Sequence, residues 1–233
     1  MNRYLKNLLG ICIAVGAVFS AHAQWPDRAI KILVPYPAAN SSDVAARLIG
    51  EKLAAQLGQP VIVENRAGAS GTLGTAYAAK QPADGYTLAI GAPGPLSVGP
   101  WTTVRPLPYD PVNDFVVVGA IAWAPQVLVA KKDLPVKNFQ EFLAYAKKPG
   151  ATLSYGSSGV GTVPQLIVAQ MLKQTGIKAE HVPYRGGAPA ITDLRGGVID
   201  FMSDTVPVVR GMIAEGTIKA LGVSTAERIP SLP

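Results

Sequence analysis

The stretch Ser154-Tyr155-Gly156-Ser157-Ser158-Gly159-Val160-Gly161-Thr162-Val163-Pro164-Gln165 decides how this chain is read. A short β-like run passes into a Gly/Ser loop and then into a helix start. Thr162 is an N-cap candidate and Gln165 follows three residues later, the spacing of a capping box. Pro164 suits the first turn, where its missing N–H does no harm. Such a junction aims several unpaired backbone N–H groups, and the positive end of a helix dipole, at one place, which suits an anion. One junction of this kind is weak evidence, because ordinary strand-to-helix loops look similar. The chain repeats it.

The first repeat is Pro35-Tyr36-Pro37-Ala38-Ala39-Asn40-Ser41-Ser42-Asp43, after the apolar run Ile30 to Val34. Asn40, Ser41 and Ser42 are good caps, and Asp43 fits a first helical turn. The helix that follows is expected to bury Ala45, Leu48, Ile49, Leu53 and Leu57 and to stop at Gly58. The second repeat is Gly68-Ala69-Ser70-Gly71-Thr72, between the strand-like Val61-Ile62-Val63-Glu64 and a helical run from Leu73 to Lys80. A third candidate is Gly91-Ala92-Pro93-Gly94-Pro95. In parallel α/β sheets such loops emerge at the carboxyl ends of the strands, where ligands bind. Several of them together argue for a small polar or anionic ligand.

Working outward, strand-like runs lie near 30–34, 61–64, 87–91, 115–121, 126–130, 152–155, 179–182, 198–202 and 217–223, alternating with helical ones. Asn138 with Glu141 forms a cap pair before the stripe Phe139, Phe142, Leu143 and Ala146, and the helix from Val163 to Thr175 ends at Gly176. These stripes indicate core packing in an α/β fold and carry no functional information. The Pro- and Gly-dense segment from Pro93 to Pro111 reads as a connection over one domain's edge. A domain change is placed near 122–126, with a return near 220–224.

The 233 residues suffice for one large or two small domains. Arg3 and Lys6, the apolar Leu8 to Phe19, and Ala21-His22-Ala23 succeed one another as the three zones of an export signal, cleaved after Ala23. Cys12 falls inside that segment, so the mature chain has no cysteine, no disulfide and no thiol chemistry. Loss of Arg3 and Lys6 lowers the net charge from +6 to +4. The basic residues are scattered without interleaved aromatics, which speaks against nucleic acid. Hydrophobic residues make up 48% and charged ones 15%, a composition of compact domains and not of disordered tails.

Several chemistries are missing from the mature sequence. His181 is its only histidine, so a His/Cys metal site cannot be assembled and no metal or cofactor is expected. The esterase elbow G-x-S-x-G, the phosphate loop and the dinucleotide fingerprint are absent, the last because Pro164 stands where the third glycine belongs. A Ser–His–carboxylate triad through His181 remains arithmetically open, against the plainer reading of a strand-end histidine.

The segments "GQPVIVENRAGASGTLGT" (58–75), "PADGYTLAIG" (82–91), "LPYDPVNDF" (107–115), "HVPYRGGAPAITDLRGG" (181–197) and "ALGVSTAERIPSLP" (220–233) resemble the Bug family, the periplasmic substrate-binding proteins of tripartite tricarboxylate transporters. The resemblance runs from Trp25-Pro26 to the last residue. It implies an α/β chain of the type II periplasmic-binding-protein fold, with two α/β domains around a ligand cleft: 24–124 with 221–233 as domain one, 125–220 as domain two, and 1–23 as signal peptide. It further implies capture of a small organic carboxylate without chemistry, by a periplasmic monomer that serves membrane transporter subunits.

Carried over by resemblance, the ligand-binding residues are Ala39, Asn40, Ser41 and Ser42; Ala69, Ser70 and Thr72; Ser157, Ser158, Gly161 and Thr162; and Tyr184, Gly186 and Asp204, which shape the far end. Relatives commonly read Pro-Gly-Gly where this chain has Ala38-Ala39-Asn40. Asn40 tolerates positive φ and Ala39 does so poorly, so either the loop takes another conformation or the first anchor is altered. Relatives also often show Ser-His where this chain has Pro164-Gln165. They continue beyond the segment matching Pro233, so domain one is expected to be incomplete at its C-terminus. A sensory partner of a membrane receptor, a hydrolase using His181 and a loop serine, and a nonfunctional fragment remain as alternatives.

Overall fold

The computed structural model describes residues 25–102 and 106–232. The export signal and its cleavage site lie outside the described residues. The chain forms two α/β units, each built on its own sheet.

In the first unit, β1 (Ile30–Val34) lies between β2 (Val61–Asn65) and β3 (Thr87–Ala89), all parallel. Parallel neighbours need a crossover, and α1 (Ser41–Leu57) and α2 (Thr72–Ala79) supply it. Ile32 and Val34 pack against Ala46 of α1, with Leu53, Val61, Val63 and Leu88 around them. The buried line of α1 is Asp43, Ala46 and Gly50, while Leu48 of the expected stripe is 61% exposed. The helix seats its small residues on the sheet because Gly50 lets it approach within van der Waals reach of Val61 and Ile32. Gly74 of α2 is still more constrained. A Cβ there would fall 2.3 Å from the Arg66 carbonyl oxygen and 2.6 Å from Pro35 Cα. A π-helical turn at Gly94–Val98 and the short α3 (Gly99–Thr102) follow β3.

The second unit is a five-stranded sheet in the order β6-β5-β7-β4-β8. Its strands are β4 (Gln126–Lys131), β5 (Ser154–Ser157), β6 (Glu180–Pro183), β7 (Phe201–Thr205) and β8 (Ile218–Val223). The helices are α4 (Phe139–Ala146), α5 (Val163–Thr175), α6 (Gly187–Arg195) and α7 (Val206–Ala214). β5, β6 and β7 are parallel, while β4 runs antiparallel to β7 and β8. Strand alternation splits the core across the sheet. Val127, Val129 and Met202 meet Ala190, Leu194 and Val209 on one face. Ala130, Tyr155 and Phe201 meet Phe142 and Val168 on the other, with Phe142 edge-on to Phe201 at 5.0 Å.

Two expectations are corrected. Residues 115–121 form no strand: Phe115 to Pro125 carry no regular structure, and Val116, Val117, Val118 and Trp123 are 84–96% exposed. A strand needs a neighbour for its amides, and among the described residues this run has none. The segment 221–233, assigned to domain one, packs with the second unit over its described part. β8 continues antiparallel to β4 as far as Val223, the Ser224 amide donates to the Gln126 carbonyl, and Leu232 is buried in the cluster under α6 and α7.

Candidate functional site

The loop after β1 turns on Ala39, which holds φ +65° although it is not glycine. Asn40 stays extended and caps α1, its side-chain oxygen accepting from the Asp43 amide at 2.9 Å. The left-handed residue is therefore Ala39 and not Asn40, and the Asn40 side chain is occupied by its own helix.

The loop after β2 is tighter. Gly68, Ala69, Ser70 and Gly71 all have positive φ (140°, 46°, 54° and 99°), and the Gly71 amide donates to the Gly68 carbonyl at 3.0 Å. Ala69 and Ser70 occupy the two central positions of a type I′ turn, which demands left-handed residues at both. L-residues there store strain of about 1–3 kcal/mol each, which is characteristic of ligand-facing loops. The Tyr36 ring packs beneath Gly71. Burial raises the Tyr36 phenol to about 12, with Tyr109 adding to the effect.

The loop after β5 is held from below. Ser157 Oγ lies 2.7 Å from His181 Nε2 and accepts from the Gly159 amide at 3.2 Å. Thr162 occupies the N-cap position of α5, yet its hydroxyl donates to the Gly159 carbonyl at 2.7 Å and caps no helix amide. Its own amide also reaches that carbonyl, at 3.4 Å. The capping box does not form, because Gln165 Oε1 accepts from the Gly161 amide at 3.3 Å, one residue before the N-cap. Ser157 is fully buried and Thr162 is 3% exposed. Both hydroxyls bond within the loop, Ser157 with His181 and the Gly159 amide and Thr162 with the Gly159 carbonyl. Burial also lowers the His181 pKa, keeping the ring neutral.

These loops meet. A Cβ on Gly159 would come within 2.5 Å of Ser70 Oγ, and one on Gly186 within 3.0 Å of Pro37 Cγ. Both are contacts between the two units. Between the units lies a cavity of about 200 Å³ lined by Ala69, Ser70, Thr72, Gly94, Gly99, Thr102, Val160 and Gly161. No charged side chain lines it. Of the expected site residues, Ala69, Ser70, Thr72 and Gly161 line this cavity. The others flank it: Ala39, Asn40, Ser158, Tyr184 and Gly186 in loops, Ser41 and Ser42 in the first turn of α1, and Asp204 in β7. Gly99 and Thr102 were missed by sequence reasoning, while Val160 belongs to the stretch Ser154 to Gln165 already read as a ligand loop. Gly94 fell within a motif already noted, and the Pro/Gly density around it was the signal for its neighbours.

At the flank, Tyr184 donates to Asp193 Oδ2 at 2.7 Å and its phenol is pushed up to about 12, mainly by burial and then by Asp193. Asp204 lies next to the last residue of β7, 8% exposed. Its Oδ1 accepts from the Thr205 amide at 2.7 Å, and its Oδ2 faces Gly187 at the start of α6. Burial raises this carboxyl to about 6, against the opposing effect of the Thr205 hydrogen bonds.

Residues 45–233 match the sequence profile described as tripartite tricarboxylate transporter family receptor. The chain belongs to this receptor family. Within the family's surroundings it is similar to the protein BugT of Bordetella pertussis, 35% identical over 237 residues that cover all of this chain and 72% of BugT. The structure of the periplasmic binding protein BugD superimposes with a TM-score of 0.82 at 32% identity, covering 90% of this chain and 69% of BugD. That of the R. palustris protein Rpa4515 with adipate gives 0.85 at 36%, covering 89% and 69%. The chain spans 62–72% of the length of the curated relatives that it matches over nearly its whole extent. The two α/β units are those of periplasmic binding proteins of this receptor family.

Proposed function

We propose that the chain captures a small organic carboxylate between its two units, without chemical conversion, and presents it to the membrane subunits of a tripartite tricarboxylate-type transporter. One observation carries this reading. Loops from both units, the first unit's strained at Ala69 and Ser70, converge on an uncharged cavity, so the groups available to an anion are hydroxyls, backbone amides and the starts of α2 and α5. The cavity's volume of about 200 Å³ falls below the roughly 300–1,000 Å³ of drug-sized pockets, which favours a metabolite of a few carbon atoms. Similarity to Rpa4515, whose structure contains adipate, supports a carboxylate.

Export supplies the remaining context. The ordered charged, apolar and small-residue zones support cleavage after Ala23 and export to the periplasm, where we infer a monomer, and no described helix is long and apolar enough to cross a membrane. Mass spectrometry of the exported chain should find Gln24 first; an intact Met1 would refute the cleavage.

The binding test is a thermal-shift and calorimetric titration with adipate and a panel of mono- and dicarboxylates. Ligand at a hundredfold its Kd adds about 2.7 kcal/mol, or roughly 5–11 °C in Tm for a protein of this size. Gly161→Val, which places a branched side chain in the cavity wall, should abolish that shift. An undiminished shift would place the anion elsewhere.

A further inference from the structure

Ser157 ends β5, fully buried, beneath the loop that carries Val160 and Gly161 to the wall of the cavity between the units. Three polar atoms surround its Oγ. His181 Nε2 lies at 2.7 Å, the Gly159 amide donates to it at 3.2 Å, and the Gly159 carbonyl oxygen lies at 3.2 Å. His181 reaches this point from the neighbouring strand. β6 pairs with β5, His181 stands opposite Tyr155, and the two rings stack at 4.7 Å.

A serine hydroxyl has one proton to give. The Gly159 carbonyl already accepts from the Thr162 hydroxyl at 2.7 Å and from the Thr162 amide at 3.4 Å. A carbonyl oxygen has two lone pairs, and these two donors fill them. The Ser157 proton therefore goes to the nearer acceptor, His181 Nε2, which must be the unprotonated ring nitrogen. The bonds then run in one direction, from the Gly159 amide through Ser157 to the imidazole. Both polar groups of Gly159 are held, the amide by Ser157 and the carbonyl by Thr162. Glycine has the widest choice of φ, so these bonds select its value of +133°. At that angle Gly159 lies against the first unit, where a Cβ would fall 2.5 Å from Ser70 Oγ, and Ser70 lines the same cavity. Val160 and Gly161 follow directly in the chain, so their direction into the cavity is inherited from Gly159.

We propose that His181 is a positioning residue for ligand capture: through Ser157 it fixes Gly159, and with it the wall that Val160 and Gly161 contribute to the cavity. This rests on the reading of that cavity as the carboxylate site. His181→Phe keeps a ring against Tyr155 and removes the acceptor of the buried Ser157 hydroxyl. Adipate affinity should then fall about tenfold, the loss that follows when about a tenth of the molecules keep the competent loop. The amide shifts of Gly159 and Gly161 should move in the same variant. His181→Gln, whose side-chain oxygen can stand in for Nε2, should restore the affinity.

Because His181 acts through Ser157, adding His181→Phe to Ser157→Ala should cost no further affinity, whatever either change does to Tm. Proton–nitrogen correlation spectra of the imidazole should place the proton of the neutral ring on Nδ1. A neutral ring protonated on Nε2, a His181→Gln variant as weak as His181→Phe, or additive losses in the double variant would each overturn the proposal. Should His181→Phe fail to fold, Ser157→Ala asks the same question with the imidazole intact. Its adipate affinity should fall, and an unchanged affinity overturns the proposal. If the unaltered chain binds none of the carboxylates tested, the reading of the cavity fails and this role with it. A chain that binds adipate equally well with and without the His181 imidazole sinks the role alone.

Discussion

Asp204 shows how much one side chain can carry. Its carboxyl titrates near 6 in the folded chain, against an ordinary value of 3.8. The folded state thus holds this proton more tightly than the unfolded one. Stability from this group is fully present below about pH 4, declines as pH rises through 6, and is lost above. The span is about 3 kcal/mol. Asp204→Asn should remove that slope: urea melts at pH 7.5 should find it more stable than the unaltered chain, with the difference vanishing near pH 4. Equal slopes would mean that Asp204 ionises as freely folded as unfolded. Gly74 makes the opposite point, about space. Because a Cβ there meets backbone on two sides, Gly74→Ala should cost about 1–3 kcal/mol in the same melts. A neutral outcome would show that α2 can move off the strand ends.

The elements divide by how local their causes are. The helix from Val163 to Thr175 was legible to the residue, since Thr162, Pro164 and Gly176 mark its ends, and Gly176 takes the left-handed C-cap at φ +73°. The Asn138–Glu141 pair was equally legible: Asn138 caps the helix by accepting from the Glu141 amide at 2.9 Å, and Glu141 accepts from the amide one residue before the cap, Lys137, at 2.8 Å. Asn138→Ala should cost about 1 kcal/mol, read from Tm. The 115–121 run was misread for a non-local reason. Its β propensity is high, but a strand exists only with a partner, and sequence spacing does not show which partner is in reach. The same limit explains Leu48. Apolar periodicity finds a helix face, whereas Gly50 and Ala46 decide which face touches the sheet. In the candidate site, Ser70 and Gly161 could be read from loop chemistry. Ser157 and Thr162 could not be placed, because a hydroxyl under a loop and one on its surface have the same sequence signature.

At the scale of the molecule, the two units differ in how they spend apolar residues. Phe201 is fully buried in the second sheet and touches Phe142 and Tyr155, so Phe201→Ala should cost about 3–5 kcal/mol. Val117 is 89% exposed, so Val117→Asp should change stability by no more than about 0.5 kcal/mol. A large loss for Val117→Asp would show that this face is covered in solution. The uncharged cavity between the units has a separate consequence. Where backbone amides hold an anion, the recognition is written in dihedral angles and not in residue identities. Mutational drift can then exchange side chains around such a cradle, provided the turns persist. Selectivity for one acid over another becomes free to diversify at the far end while the grip on the common carboxylate is inherited unchanged.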